Sequence, residues 1–244
     1  MFTSSKKKAF TLAEILITLG VIGVISAMTI PALFADISTR KMETKFKKAY
    51  AQLNEMHKRY VAENDMAIPV GVRSGDSMGK IFQRYLKGFS NVNNDVWYTK
   101  NDKGESSAEI YNKYKNFKGG TIKQICDVSG SFADINGILY MWNDNPEEGE
   151  NGPVICVDLN GTGKPNIVGI DYFLFIPTVD GTIIPMGMED LNNTSSTGQG
   201  GNFFLDKSYC GYDNNYSCAY WAVIDKAPNG KGRYWKDYIK NRKF

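Results

Sequence analysis

The chain has 244 residues and a formal charge of +3, from 29 Lys and Arg against 26 Asp and Glu. That length allows one or two domains with a sizeable core, and the near-balanced charge argues against a nucleic-acid partner, whose binders carry a clear basic excess. A single histidine, His57, excludes multi-histidine metal sites and leaves any catalytic triad one available base.

Charge is unevenly placed. Residues 1–8 hold Lys6, Lys7 and Lys8 and no acid, and residues 10–35 are almost continuously apolar, broken only by Glu14. Residues 36–59 carry seven basic and three acidic side chains, residues 60–225 reverse to 12 against 21, and residues 226–244 return to seven against one. A basic collar beside an apolar helix suits anionic lipid headgroups or the acidic body of a neighbouring copy.

Phe10 to Ala35 is 26 residues, about 39 Å as a helix and enough to cross a bilayer. Lysines ahead of it place the amino end in the cytoplasm and the rest outside. A secretory signal would have an apolar core of about 7–15 residues followed by a small-x-small cleavage site; this stretch is longer and no such site follows. A plain signal anchor fits the length but leaves Glu14 unexplained. A carboxylate in hydrocarbon is costly and marks a function with a partner. Cleavage before Phe10 would create that partner, because the new α-amino group of one copy can meet Glu14 of another. Either charge left alone is heavily penalised, so the pair fixes an axial stagger between helices.

The run Lys6-Lys7-Lys8-Ala9-Phe10-Thr11-Leu12-Ala13-Glu14 resembles the prepilin signal of type IV pilins and type II secretion pseudopilins. The resemblance implies cutting between Ala9 and Phe10 by a prepilin peptidase, N-methylation of Phe10, and Glu14 as the assembly acid. Ala9 departs from the glycine usual before the cut. The resemblance further implies a single-pass protein of the inner membrane with its C-terminal domain outside the cytoplasm. Its partners would be other copies or related pilins, an inner-membrane assembly platform, and membrane lipid before assembly. The product would be a pilus or pseudopilus-like filament. Pro31 can kink the span, while Thr18, Ser26 and Thr29 can return hydrogen bonds to the helix backbone.

Apolar periodicity continues through Ile37, Met42, Phe46, Tyr50, Leu53, Met56 and Tyr60, predicting an amphipathic helix to about Asn64. His57 lies on it and reads as a structural residue. This divides the chain into a leader (1–9), a membrane and filament-core helix (10–35), its amphipathic second half (36–65), a variable region (66–130) and a β-sheet region (131–244). In the variable region, helices are expected at Met78–Leu86 and Ser106–Phe117. Beyond it, Phe132–Trp142 reads as a hairpin turning at Asn136-Gly137, Val154–Leu159 as a strand, and Tyr172–Ile176 with Thr178–Ile184 as a pair turning at Asp180-Gly181. Ala219–Ile224 reads as a further strand and 192–202 as a loop. The fold class expected is α+β, a long N-terminal helix packed on an antiparallel sheet.

Four cysteines outside the cytoplasm would be oxidised. Three connectivities are open; seven residues between Cys210 and Cys218 favour a local clip, which pairs Cys126 with Cys156. No Cys-x-x-Cys spacing supports zinc. Asp158, Asn160 and Asp171 flank glycines in Asp-x-Asn-Gly-Thr-Gly and the residues after it, a pattern of oxygen donors that suits calcium, or equally a turn whose Asp and Asn bond their own backbone. The resemblance favours calcium, since major pseudopilins often hold it in a sheet-region loop; no other cofactor is implied. The tail interleaves Trp221, Tyr234, Trp235 and Tyr238 with Lys231, Arg233, Lys236 and Lys240, which predicts aromatics packed inward with wet lysines rather than a base-stacking surface. Little supports an enzyme: the chain has no paired histidine and no acid pair that can be placed on one cleft. A membrane-anchored module for adhesion to glycans or DNA is the alternative.

Overall fold

The computed structural model describes residues 10–68, 75–86, 90–92, 99–100, 106–107, 114–122, 126, 131–142, 154–161, 163–178, 180–188, 210 and 216–240. The leader with Ala9, most of the variable region and the 192–202 loop lie outside them.

One helix, α1 (Leu12–Asn64, 53 residues), dominates and is about 80 Å long. Its two halves differ in what surrounds them. An 18-residue window in the first half has a mean hydropathy of 2.2, with none of it buried; Phe10 is 82% exposed and Leu16, Ile22, Met28 and Phe34 are all bare. The helix is therefore long and apolar enough to cross a membrane. Thr18 and Thr29 donate to the carbonyls of Ile15 and Ile25, as their place in an apolar span requires. Pro31 sits inside the helix without ending it.

In the second half Phe46, Ala49, Leu53, Met56, His57 and Tyr60 are buried, a stripe at spacings of three and four. Burying each large apolar side chain contributes about 1.5–3 kcal/mol. Met42 and Tyr50 are partly buried against the same core, whereas Ile37, expected on this face, is 52% exposed: the sheet does not reach that far down the helix. α1 stops at Asp65, in the left-handed region at φ 53°.

The sheet has six strands, β1 (Ser90–Val92), β4 (Ser131–Ala133), β5 (Leu139–Trp142), β6 (Ile155–Asp158), β7 (Tyr172–Pro177) and β8 (Ile183–Pro185), in the order β1-β4-β5-β6-β7-β8. Every neighbouring pair is antiparallel. β2 (Thr99–Lys100) and β3 (Ser106–Ser107) form a separate pair. The arrangement is α+β, a long N-terminal helix on an antiparallel sheet. Every residue of β5, β6, β7 and β8 is buried, so these strands read as apolar runs without alternation. Register aligns Tyr140, Val157 and Phe173 across three strands, and this face meets α1. Phe46 lies 4.6 Å from Phe173, and the Tyr140 hydroxyl donates to Gln52 Oε1.

The predicted turns hold. Asp134 Oδ1 accepts the amides of Asn136 and Ile138 around Gly137 (φ 70°). The β7–β8 turn is closed by Thr178, Asp180 and Thr182, with Gly181 at φ 88°. α2 (Gly75–Tyr85), expected from Met78 to Leu86, buries Met78, Ile81, Phe82 and Tyr85, and Phe82 stacks on Trp142 at 5.2 Å.

Two further expectations fail. Ser106–Phe117 is not a helix where it is described: Ser106 and Ser107 pair in β3, and Lys115 bridges Thr121 and Ile167. Asn116 explains the second departure from helix, because its side-chain carbonyl accepts the amides of Lys118 and Gly120 and closes a turn. Ala219–Ile224 is not a strand but part of a helix, α3 (Cys218–Ile224). Its buried residues are Cys218, Ala219 and Ala222, and these small side chains let the helix lie close on β7 and β8.

Candidate functional site

Three regions carry the residues singled out by the sequence. At the start of α1, Thr11 and Glu14 form a reciprocal capping box. The Thr11 amide and hydroxyl donate to Glu14 Oε2, both at 2.8 Å, and the Glu14 amide donates to Thr11 Oγ1 at 3.2 Å. The Thr-x-x-Glu spacing is a capping signature in its own right, which a reading of Glu14 as a lone acid overlooks. Within one copy the carboxylate is thus held at the amino end of the helix, facing the positive end of the helix dipole, with Phe10 bare beside it.

The second region is the C-terminal segment. Tyr234–Ile239 is a π-helical turn with Tyr234, Trp235 and Ile239 buried. Trp235 lies 5.3 Å from Phe46 and 5.7 Å from Phe173 and donates its indole N–H to Ala222 O. The Tyr234 hydroxyl donates to Gly169 O at 2.5 Å. Tyr238 packs on Phe117 and Trp221 on Tyr220. The rings that could have stacked on bases or sugars are engaged within the domain, while Lys231, Lys236 and Lys240 stay exposed.

The third region is the β6–β7 connection. Asp158 and Asp171 are fully buried. Asp158 accepts from the Tyr114 hydroxyl at 2.6 Å and the Asn160 amide at 3.0 Å; Asp171 accepts the amides of Asn166 and Ile167 at 2.8 and 2.7 Å. Burial pushes both carboxyls up from the usual carboxylate range, and Asp171 pushes Asp158 further. Lys45 reaches in from α1 to donate to Leu159 O at 2.7 Å, its own pKa lowered by burial. Two buried oxygens in the same connection, Asn160 Oδ1 and Asn166 Oδ1, have no hydrogen-bond partner. Two buried carboxylates with two unpartnered amide oxygens fit a hard cation by donor chemistry. Among the described residues, no three His, Cys, Asp or Glu side chains come together to hold a metal.

Protein-family models, curated proteins and solved structures were compared with the chain. None matches.

The remaining sequence candidates fall into structural places. Cys126 is bonded to Cys156 and Cys210 to Cys218, so the first bridge ties the chain between β1 and β4 to β6 and the second anchors the start of α3. His57 is buried on α1, and its Nε2 accepts the amide of Ile68 at 3.2 Å, pinning the chain where it turns back after the helix.

Proposed function

We propose that the chain is a structural subunit of a type IV pilus-like or type II secretion pseudopilus-like filament, cut between Ala9 and Phe10 and assembled through α1. The observation that carries this reading is a single continuous helix whose first half is wholly bare and apolar while its second half is locked into a domain. A membrane anchor needs only the first feature. A rigid junction between rod and domain also serves a polymer, since the position of one rod then fixes the position of its domain.

Before assembly the bare half resides in the inner membrane, with Lys6, Lys7 and Lys8 on the cytoplasmic side and the sheet domain outside. During assembly, copies exchange lipid for the apolar rods of their neighbours, and Glu14 exchanges Thr11 for the Phe10 amine of an adjacent copy. In the β6–β7 connection, Asp158, Asn160 and Asp171, with Asn166, would hold a calcium ion. Bound there, it would supply positive charge to the two buried carboxylates, of which Asp158 also lies in the field of Lys45.

The deciding experiment is mass spectrometry of the protein from a host with an active prepilin peptidase. A mature chain beginning at N-methylated Phe10 supports the reading; a chain that keeps residues 1–9 overturns it.

A further inference from the structure

The C-terminal segment runs down α1 toward the end of the apolar span. Arg233 Nη2 lies 3.8 Å from Glu43, Trp235 packs on Phe46, and Lys240 Nζ is 3.0 Å from Asp36. Asp36 is the first residue after the 26-residue apolar stretch and is also held by Arg40 at 3.0 Å. Where these elements meet, they leave a cavity of about 160 Å³, open on one side. Its walls are Ala35, Thr39 and Met42 of α1, Pro165 and Ile170 of the β6–β7 connection, and Ile239; the stem of Lys240 lines it as well.

Depth and charge together say what fits here. Arg40 and Lys41 lie only about 8–9 Å past Ala35 along the helix, within the headgroup layer if the span occupies the hydrocarbon. Lys240 is tied to the same level through Asp36. One acid, Asp36, is shared by two cations, Arg40 and Lys240. Both are exposed and share that single carboxylate, so the mouth of the apolar notch keeps a net positive charge.

We propose that this seam between α1 and the C-terminal segment is a seat for an anionic phospholipid, its phosphate against Arg40 and Lys240 and its upper carbons in the notch. The proposal rests on the first half of α1 being membrane-spanning. It adds a lipid class and a set of residues that would hold the domain down on the bilayer before assembly. Lysines and arginines within a Debye length of an anionic surface are attracted to it, and salt screens the attraction.

The test uses the full chain in nanodiscs of phosphatidylcholine alone or of phosphatidylcholine mixed with phosphatidylglycerol, read by hydrogen exchange of the 234–240 amides. Exchange should slow about fivefold for each participating lysine in the anionic discs. The slowing should vanish at high salt and in an Arg40→Gln/Lys240→Gln variant. Near-UV circular dichroism in neutral discs should show that this variant is folded. Equal exchange in the two lipids overturns the seat, as does a difference that survives both salt and the variant. Protection that appears only in discs holding two copies would assign the seam to a neighbouring subunit instead, which also overturns it. Co-elution with the discs reports on the span separately: a chain that enters neither kind of disc overturns the membrane reading and the seat together, whereas one that enters both without lipid-dependent exchange overturns the seat alone.

Discussion

Thr11 and Glu14 satisfy one another at the amino end of α1, the threonine amide and hydroxyl both donating to a single carboxylate oxygen. The acid caps the helix within one copy, and under the proposed function it would also carry a charge that a neighbour's amine meets. Glu14→Gln separates the two, because a glutamine carbonyl still accepts the Thr11 amide but carries no charge. Both Glu14→Gln and Glu14→Ala should insert into membrane normally and fail to form filaments. Thr11→Ala should lose about 1 kcal/mol of capping and still assemble. Normal filaments from Glu14→Gln, seen by electron microscopy, would leave capping as the acid's whole role.

His57 sets a dependence of domain stability on pH. Burial lowers its pKa from 6.5 to about 4, against the opposing pull of the Thr182 backbone and the Asp180 carboxylate. Between about pH 4 and 6.5 the unfolded chain takes up a proton that the folded chain refuses. Stability therefore falls as pH drops through that window, and above 6.5 the imidazole is neutral in both states. The loss over that whole window should be about 3 kcal/mol. Urea melts of wild type and His57→Gln at pH 7 and pH 4.5 should differ in slope with pH, the variant showing the shallower fall. Parallel falls would place the acid sensitivity elsewhere.

The two disulfides differ in the length of chain they close. Cys126 and Cys156 are 30 positions apart and Cys210 and Cys218 are 8. On the loop-entropy argument, removing them should cost about 4 and about 3 kcal/mol respectively. Under the proposed function, Cys210→Ser with Cys218→Ser should lower the thermal midpoint without changing processing at Phe10, because the bridge lies in the domain while Phe10 stands at the bare end of α1. A processing defect at permissive temperature would contradict that separation.

What the residues made legible follows from how local each signal is. The length of α1, its end at Asn64 and its buried stripe are all periodic patterns, and the hairpin turns at Asn136-Gly137 and Asp180-Gly181 are dipeptide signals. Tertiary context decides the rest. Tyr220, Trp221, Val223 and Ile224 are strand-type residues, yet Cys218, Ala219 and Ala222 set a helical packing face, and a short apolar run does not distinguish the two by itself. Tyr114 is fixed by finding Asp158, a contact 44 positions away. The descent of the C-terminal segment to Asp36 spans 204 positions, and no local pattern announces it.

The β6–β7 connection gives the remaining prediction. Asp158 and Asp171 are buried together, their carboxyls raised by burial, with Asn160 Oδ1 and Asn166 Oδ1 unpartnered nearby. A cation there would relieve the repulsion between the acids and occupy the idle oxygens. A ligand that binds only the folded state at about 100 times its Kd adds ~2.7 kcal/mol, which for a domain of this size raises the melting midpoint by roughly 5–10 °C. Calcium should therefore stabilise the folded protein and a chelator should reverse the gain. Asp171→Asn should melt at a midpoint that calcium hardly moves. Because Asp171 also holds the amides of Asn166 and Ile167, the variant alone does not decide the matter; the wild-type titration does. A wild-type midpoint indifferent to both calcium and chelator would mean that Tyr114, Asn160 and the loop amides already satisfy these acids, and the connection would then be a turn closed by its own side chains.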